Sequence, residues 1–293
     1  NLHAGTVYHF SKGYFDQALD YLFVDEAGQV SLANLIAMGR STKNIILIGD
    51  QNQLGQPIRG THPNESGQSI LDYLLEGKDT ISEDRGIFLN KTYRLNSKLN
   101  EFISSNFYEE RLICDERTDK RIIKFNKKLK IKDSGIHYIE MNHKNNVQTS
   151  IEEFEVIRDL MKEMIGLELD DEGKKRKLTV DDFLIISPYN TQVNLLISKL
   201  EESKIKNPRV GTIDKFQGQE APVTIISMTS SDSDSLPRNK EFFFSRNRLN
   251  VAISRAQVAS IILFNPNLLD SSPKNLDHIK LMNNFFKFLN YKI

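Results

Sequence analysis

The stretch Tyr21-Leu22-Phe23-Val24-Asp25-Glu26 is an apolar run that stops on two carboxylates, and it is answered 24 residues later by Ile45-Ile46-Leu47-Ile48-Gly49-Asp50. Continuous rather than alternating apolar runs belong to strands buried on both faces, as in a parallel sheet covered by helices. The pattern returns at Phe183-Leu184-Ile185-Ile186 before Ser187-Pro188-Tyr189, at Val223-Thr224-Ile225-Ile226-Ser227, and at Ile261-Ile262-Leu263-Phe264 before Asn265-Pro266. Between these runs, apolar residues three or four apart predict helices over residues 32–38, 69–75, 97–106, 151–165, 191–202, 247–256 and 275–289. The fold class is α/β. A break near residue 90 separates two groups of strands and predicts a first domain over about 1–89 and a second over 90–293.

Composition narrows the function classes. The 293 residues carry 39 Lys+Arg against 39 Asp+Glu, one Cys and no Trp. A single Cys excludes a disulfide scaffold and a Cys-rich zinc or iron–sulfur site in this stretch, and it points to a reducing compartment. No apolar run approaches the roughly 18–20 residues of a membrane span, so the expectation is an intracellular protein without membrane contact, cytoplasmic, or nuclear in a eukaryote. The zero net charge hides an asymmetry: residues 1–89 hold 6 basic and 11 acidic side chains, net −5, which leaves +5 for residues 90–293. Two basic runs, over residues 120–132 and 173–177, read as solvated surface.

The carboxylates are placed where chemistry is done. Open α/β sheets bind ligands at the carboxyl edge of their strands, where Asp25 and Glu26 emerge. Adjacent carboxylates can divide the work, one holding Mg²⁺ and the next polarising a water for attack on a phosphate. The loop Gly49-Asp50-Gln51-Asn52-Gln53-Leu54-Gly55-Gln56-Pro57 adds Gln53, a neutral group able to report whether a γ-phosphate is present. The blocks Val24-Asp25-Glu26-Ala27-Gly28-Gln29 and Gly49-Asp50-Gln51-Asn52-Gln53-Leu54 resemble the second and third motifs of superfamily 1 helicases. The similarity is to the branch of the nonsense-mediated-decay helicase and the replication helicase-nuclease.

That resemblance implies ordered blocks in the second half, and they are present. Leu89-Asn90-Lys91-Thr92-Tyr93-Arg94-Leu95-Asn96 resembles the motif opening the second RecA-like domain, whose arginine, here Arg94, reaches the nucleotide. Ser187-Pro188-Tyr189-Asn190-Thr191-Gln192 resembles the next strand-end motif. The fifth motif is similar to the run from Val210 to Glu220, with Thr212 matching a contact to the nucleic-acid backbone, Gly218 in the nucleotide loop and Glu220 matching a ribose contact. Asn250-Val251-Ala252-Ile253-Ser254-Arg255-Ala256 resembles the sixth, in which the residue matching Arg255 is an arginine finger. The family implies a RecA-like P-loop NTPase fold, ATP and Mg²⁺ as cofactors, single-stranded DNA or RNA as partner, ATP bound between two domains, and 5′-to-3′ movement. A permanently charged guanidinium suits phosphate, and an arginine finger is worth about 10³–10⁵ in rate. On the expected helix Arg248 and Arg255 lie seven residues apart, nearly on one face, and Arg248 is read as a structural salt bridge. Tyr189 has two readings, a stacking face for a base or a buried tyrosine.

One family element is missing. No G-x-x-x-x-G-K-[ST] loop occurs in the 293 residues, and about 20 residues precede the Asp25-Glu26 strand, where Thr6-Val7-Tyr8 reads as the tail of the strand before it. The sequence opens Asn1-Leu2-His3 without Met, so it is expected to be the C-terminal part of a longer helicase, with the phosphate-cradling segment upstream and weak ATP binding by itself. Two other readings stay open: a degenerate RecA-like module with a non-catalytic binding role, and a parent in which the helicase is fused to a nuclease.

Overall fold

The computed structural model describes residues 2–55, 62–125, 131, 133–232 and 245–270, and beyond these only residues 276, 279, 283 and 286. The expected helix over 275–289, the loop end Gln56-Pro57, and Lys127, Lys128, Lys130 and Lys132 of the first basic run thus lie wholly or largely outside the described residues. The chain forms two compact units, Asn1–Phe88 and Leu89–Ile293.

In the first unit, β1 (Leu19–Val24) and β2 (Thr42–Leu47) pair in parallel, with Leu19 opposite Thr42 and Val24 opposite Leu47. Helix α1 (Val7–Phe10) precedes them, α2 (Leu32–Gly39) joins them, and α3 (Ile70–Leu75) follows. Ser31 caps α2 by accepting from Asn34 N, and Ser69 caps α3 by accepting from Asp72 N, the arrangement expected of serine at a helix start. Phe10, Phe15, Leu22, Val24, Ala27, Met38 and Ile70 form the core.

Two expectations fail in this unit. The segment holding Thr6-Val7-Tyr8 turns into α1, not a strand, because Phe10 folds inward onto Phe15, with ring centroids 5.3 Å apart. The first two strands are not buried on both faces either: Leu22 and Val24 point into the core, while Tyr21 and Phe23 are 59% and 64% exposed. Among the described residues this sheet has two strands and helices on one side, so alternate side chains of β1 have nothing to pack on.

The second unit begins with β3 (Lys91–Thr92), α4 (Ser97–Phe107) and β4 (Ile113–Cys114), then β5 (Ile122–Ile123) and β6 (Gly135–Glu140). Helix α5 (Ile151–Met164), the hairpin β7 (Glu168–Asp171) and β8 (Lys174–Lys177), β9 (Phe183–Ile186) and α6 (Asn190–Glu202) follow. The unit continues with β10 (Val210–Gly211), β11 (Ala221–Ser227), α7 (Arg246–Ser254) and β12 (Ala256–Phe264). Five strands make a wholly parallel sheet in the order β10-β9-β11-β12-β6. Every residue of β9 and β11 is buried, as continuous apolar runs require, and the α/β class with a mostly parallel sheet flanked by helices is borne out. Among the described residues no helix is long and apolar enough to cross a membrane.

One further reading is refined here and one corrected. Residues 173–177 are solvated as expected, with Lys174–Lys177 exposed throughout, but as a strand whose register sets Lys177 opposite Glu168, Lys175 opposite Asp170 and Lys174 opposite Asp171. Opposite charges facing across strands stabilise the pair, and Glu172 and Gly173, at φ +55° and +93°, make the tight turn that such a hairpin needs. The helix expected over 247–256 stops at Ser254, because Ala256 already belongs to β12, paired with Ala221. Arg255 alone is the joint.

Candidate functional site

The carboxyl edge of the first sheet is built by two loops pressed backbone to backbone. Ala27 N donates to Ile48 O at 2.9 Å. A Cβ at Gly28 would lie 2.6 Å from the Asp50 carbonyl oxygen, and one at Gly49 would lie 2.6 Å from Ala27 N. Only glycine fits at either place, and the two together fix Asp25-Glu26 relative to the glutamine loop. Asp25 and Glu26 are exposed, Glu26 in a left-handed conformation at φ 52°, and Glu26 N donates to Asp25 Oδ1 at 2.9 Å. Strain of this sort in a non-glycine residue costs on the order of 1–3 kcal/mol. Asp50 organises the second loop: its Oδ1 accepts from Asn52 N at 2.9 Å and its Oδ2 from the Gln53 side-chain amide at 3.0 Å. Asn52 is buried and donates from Nδ2 to Asp79 O at 3.1 Å, which ties the loop to the turn after α3.

No group of three or more His, Cys, Asp or Glu side chains among the described residues could cage a metal. Asp25 fits a different mode. Mg²⁺ keeps several waters and takes one or two carboxylates along with phosphate oxygens, so one exposed carboxylate at a sheet edge suits a cation shared with a nucleotide.

In the second unit Arg94 Nε donates to Glu220, and Arg94 Nη1 to Ser254 O at 3.3 Å. Gln257 Nε2 donates to the other Glu220 oxygen at 2.8 Å. Burial pushes the Glu220 carboxyl up, but the bond and charge of Arg94 with the Gln257 bond outweigh it and hold the group below the usual glutamate range. Arg255 is only 2% exposed, donating from Nε to Val251 O at 3.2 Å and from Nη1 to Gln219 O at 3.3 Å. Its guanidinium is thus stored beside the loop of Gly218 and Glu220. Gly218 sits at φ +74° with open space around it, a backbone position reserved for glycine by conformation. Arg248 pairs with Asp214 at 3.2 Å, the salt bridge expected of it.

Pro188, Tyr189 and Thr212 come together. With Gln148, Asn190, Thr191 and Asp214 they line a pocket of about 230 Å³. Tyr189 is 5% exposed and its hydroxyl accepts from Ser230 Oγ at 3.3 Å, so it shapes the wall and offers little ring to a base. Between the start of α5 and the end of β11 lies a polar network that the sequence did not announce. The fully buried Glu153 accepts from Ser227 Oγ and, at 3.0 Å on each oxygen, from Thr229 N. His143 Nε2 lies 3.3 Å away, and burial pushes the Glu153 carboxyl up. Thr229 is left-handed at φ +69°, unusual for a β-branched residue, and these bonds hold it there. Glu153 is one of two glutamates in the first turn of an amphipathic helix, beside Glu152, and nothing in the sequence marks it as the buried one. The backbone contacts at Gly28 and Gly49 were hinted at only by glycines beside the carboxylates.

Residues 67–267, more than half of the chain, match the AAA domain family. The chain belongs to that family. A probable RNA helicase, armi, of Drosophila melanogaster is 28% identical to this AAA-domain chain over 295 residues, covering 89% of the chain and 24% of that protein. The DNA replication ATP-dependent helicase/nuclease dna2 of Schizosaccharomyces pombe is 28% identical over 288 residues, covering 91% and 20%. The crystal structure of Arterivirus nonstructural protein 10, a helicase, aligns with 85% of the chain and 39% of its own at a TM-score of 0.42 and 15% identity. The AAA-domain chain therefore spans a quarter or less of the length of these two curated relatives. They bear out the resemblance of its motifs to superfamily 1 helicases of the nonsense-mediated-decay and replication helicase-nuclease branch.

Proposed function

We propose that this chain is the C-terminal motor region of an ATP-dependent helicase or translocase that moves on single-stranded DNA or RNA. The observation that carries the reading is the interlock of Gly28 and Gly49, which sets Asp25, Glu26 and Gln53 on one rigid sheet edge. In this reading Asp25 holds Mg²⁺, which when bound neutralises charge on the nucleotide phosphates. Glu26 accepts the proton of the attacking water, and Gln53, aimed by Asp50, senses the γ-phosphate. Arg94 and Arg255 supply transition-state charge, Gly218 leaves the loop backbone open to the nucleotide, and Glu220 takes the ribose. The pocket of Pro188, Tyr189 and Thr212 grips the nucleic-acid backbone.

The phosphate-cradling loop would come from another segment of the same polypeptide. The exposed apolar side chains Tyr21, Phe23, Ile46 and Ile48 support this, since a sheet face of this kind asks for cover. The isolated chain is then expected to bind ATP weakly. The burial of Arg255 favours the second reading, a non-catalytic module. Nucleic-acid-stimulated ATPase of the full-length polypeptide, with DNA and RNA in parallel, separates the two. Glu26→Gln is expected to abolish turnover and spare nucleotide binding; unchanged turnover would remove Glu26 as the base, and no stimulated turnover in the parent would favour the module.

A further inference from the structure

Arg121 belongs to none of the motifs, yet it stands beside one of them. Its side chain is 15% exposed, and its donors are spread over four acceptors. Nη1 donates to the backbone carbonyls of Tyr93 at 3.1 Å and Arg94 at 3.2 Å. Nε donates to Asp171 Oδ1 at 3.2 Å and Nη2 to Glu172 Oε1 at 2.6 Å. Both acids belong to the turn end of the β7–β8 hairpin. That hairpin is held in register with Arg121, because β5, the next two residues, pairs antiparallel with β7, Ile122 opposite Asp170 and Ile123 opposite Leu169. The charge of Arg121 also reaches Glu220, the partner of Arg94.

The geometry points to Arg121 as a positioning residue for Arg94, with the hairpin turn of Asp171 and Glu172 as its anchor. The inference rests on the reading of Arg94 as a nucleotide-directed arginine. The backbone of Arg94 is a short segment between β3 and α4, and its side chain is shared between Glu220 and the Ser254 carbonyl. Such a group can change partners only if its main chain stays put. Arg121 supplies that fixed point with a planar fork of five donors, which a lysine cannot copy, since an ammonium does not span two carbonyls and two carboxylates at set angles. The hairpin's cross-strand charge pairs keep the turn where Arg121 needs it.

The test uses the full-length polypeptide and nucleic-acid-stimulated ATPase at saturating ATP. Asp171→Asn with Glu172→Gln, on a half-exposed turn, weakens the anchor without opening the core. It is expected to lower kcat about 10-fold, in keeping with the rate cost of displacing a catalytic group by a fraction of an ångström, with melting temperature and nucleic-acid affinity unchanged. Arg121→Lys should not rescue, and in an Arg94→Ala background the anchor substitutions should add nothing, which a general structural role would not produce. If Arg94→Ala slows turnover but the anchor variants act as wild type, or add fully to Arg94→Ala, the positioning role is overturned while the reading of Arg94 stands. If Arg94→Ala itself leaves turnover unchanged, that reading fails and the inference falls with it.

Discussion

Replacing Gly28 by Ala tests whether the sheet edge works as a rigid unit. The added Cβ would sit 2.6 Å from the Asp50 carbonyl oxygen, where ordinary contact begins at 3.4 Å, so the two loops must part by about 0.8 Å. The obstacle is backbone and cannot rotate aside. Forcing a methyl into such a place costs about 1–3 kcal/mol. In a unit of 88 residues each kcal/mol lowers the melting temperature by roughly 4–8 °C. The larger effect falls on chemistry, because a displacement of about 1 Å can cost 10²-fold in rate, so kcat of the full-length polypeptide should fall by about 10- to 100-fold. Gly49→Ala strikes the same interlock from the other side, 2.6 Å from Ala27 N, and relieves it by the same separation. The two substitutions together should therefore cost less than the sum of each. The assays are thermal unfolding and steady-state ATPase with nucleic acid at saturation. Wild-type turnover with an unshifted transition in Gly28→Ala would refute the reasoning.

Two other outcomes follow from the second unit. Glu153→Ala strips the acceptor from the buried Thr229 N, while Ser227 Oγ keeps its bonds with Gln192 and Thr229, and should destabilise that unit by about 1–3 kcal/mol in urea unfolding; an unchanged stability would show the network to be dispensable. The Glu220 carboxyl is held below its ordinary range, so its share of stability is present above the unfolded glutamate pKa of about 4.3 and is lost as pH falls through the lowered folded value. Glu220→Gln should flatten the acid limb of a stability profile measured from pH 7 to pH 3, and an identical profile would count against the Arg94–Glu220 pair in solution.

Legibility in the sequence followed the kind of force at work. The strands β9, β11 and β12 were readable because burial on both faces writes an unbroken apolar run. In β1 the same run misled: Tyr21 and Phe23 are apolar yet exposed, and only the count of strands and helices around them decides that. The hairpin was hidden because its stabilising pairs are charges, and Lys174–Lys177 read alone is a solvated run until Glu168–Asp171 is set against it. Pro188 and Tyr189, from one motif, and Thr212, from another, share a pocket. Gln148, which lines the same pocket, carried no signal, and Arg121 was lost within a basic run because its meaning lies in two backbone carbonyls.

The joint between α7 and β12 is one residue long. Strand pairing advances by whole residues, with side chains alternating between faces, so length at this point is quantised. A residue inserted before Arg255 would rotate the guanidinium away from the Gln219 carbonyl, and no loop stands at the joint to take up the change. Extra length is tolerated only further on, between Ala256 and Ala259, where the register of β12 against β11 already shifts by one residue. Across any set of related chains, therefore, the joint is a place where substitution is possible and a change of length is not, and alignments should run ungapped from Arg246 through Ala256.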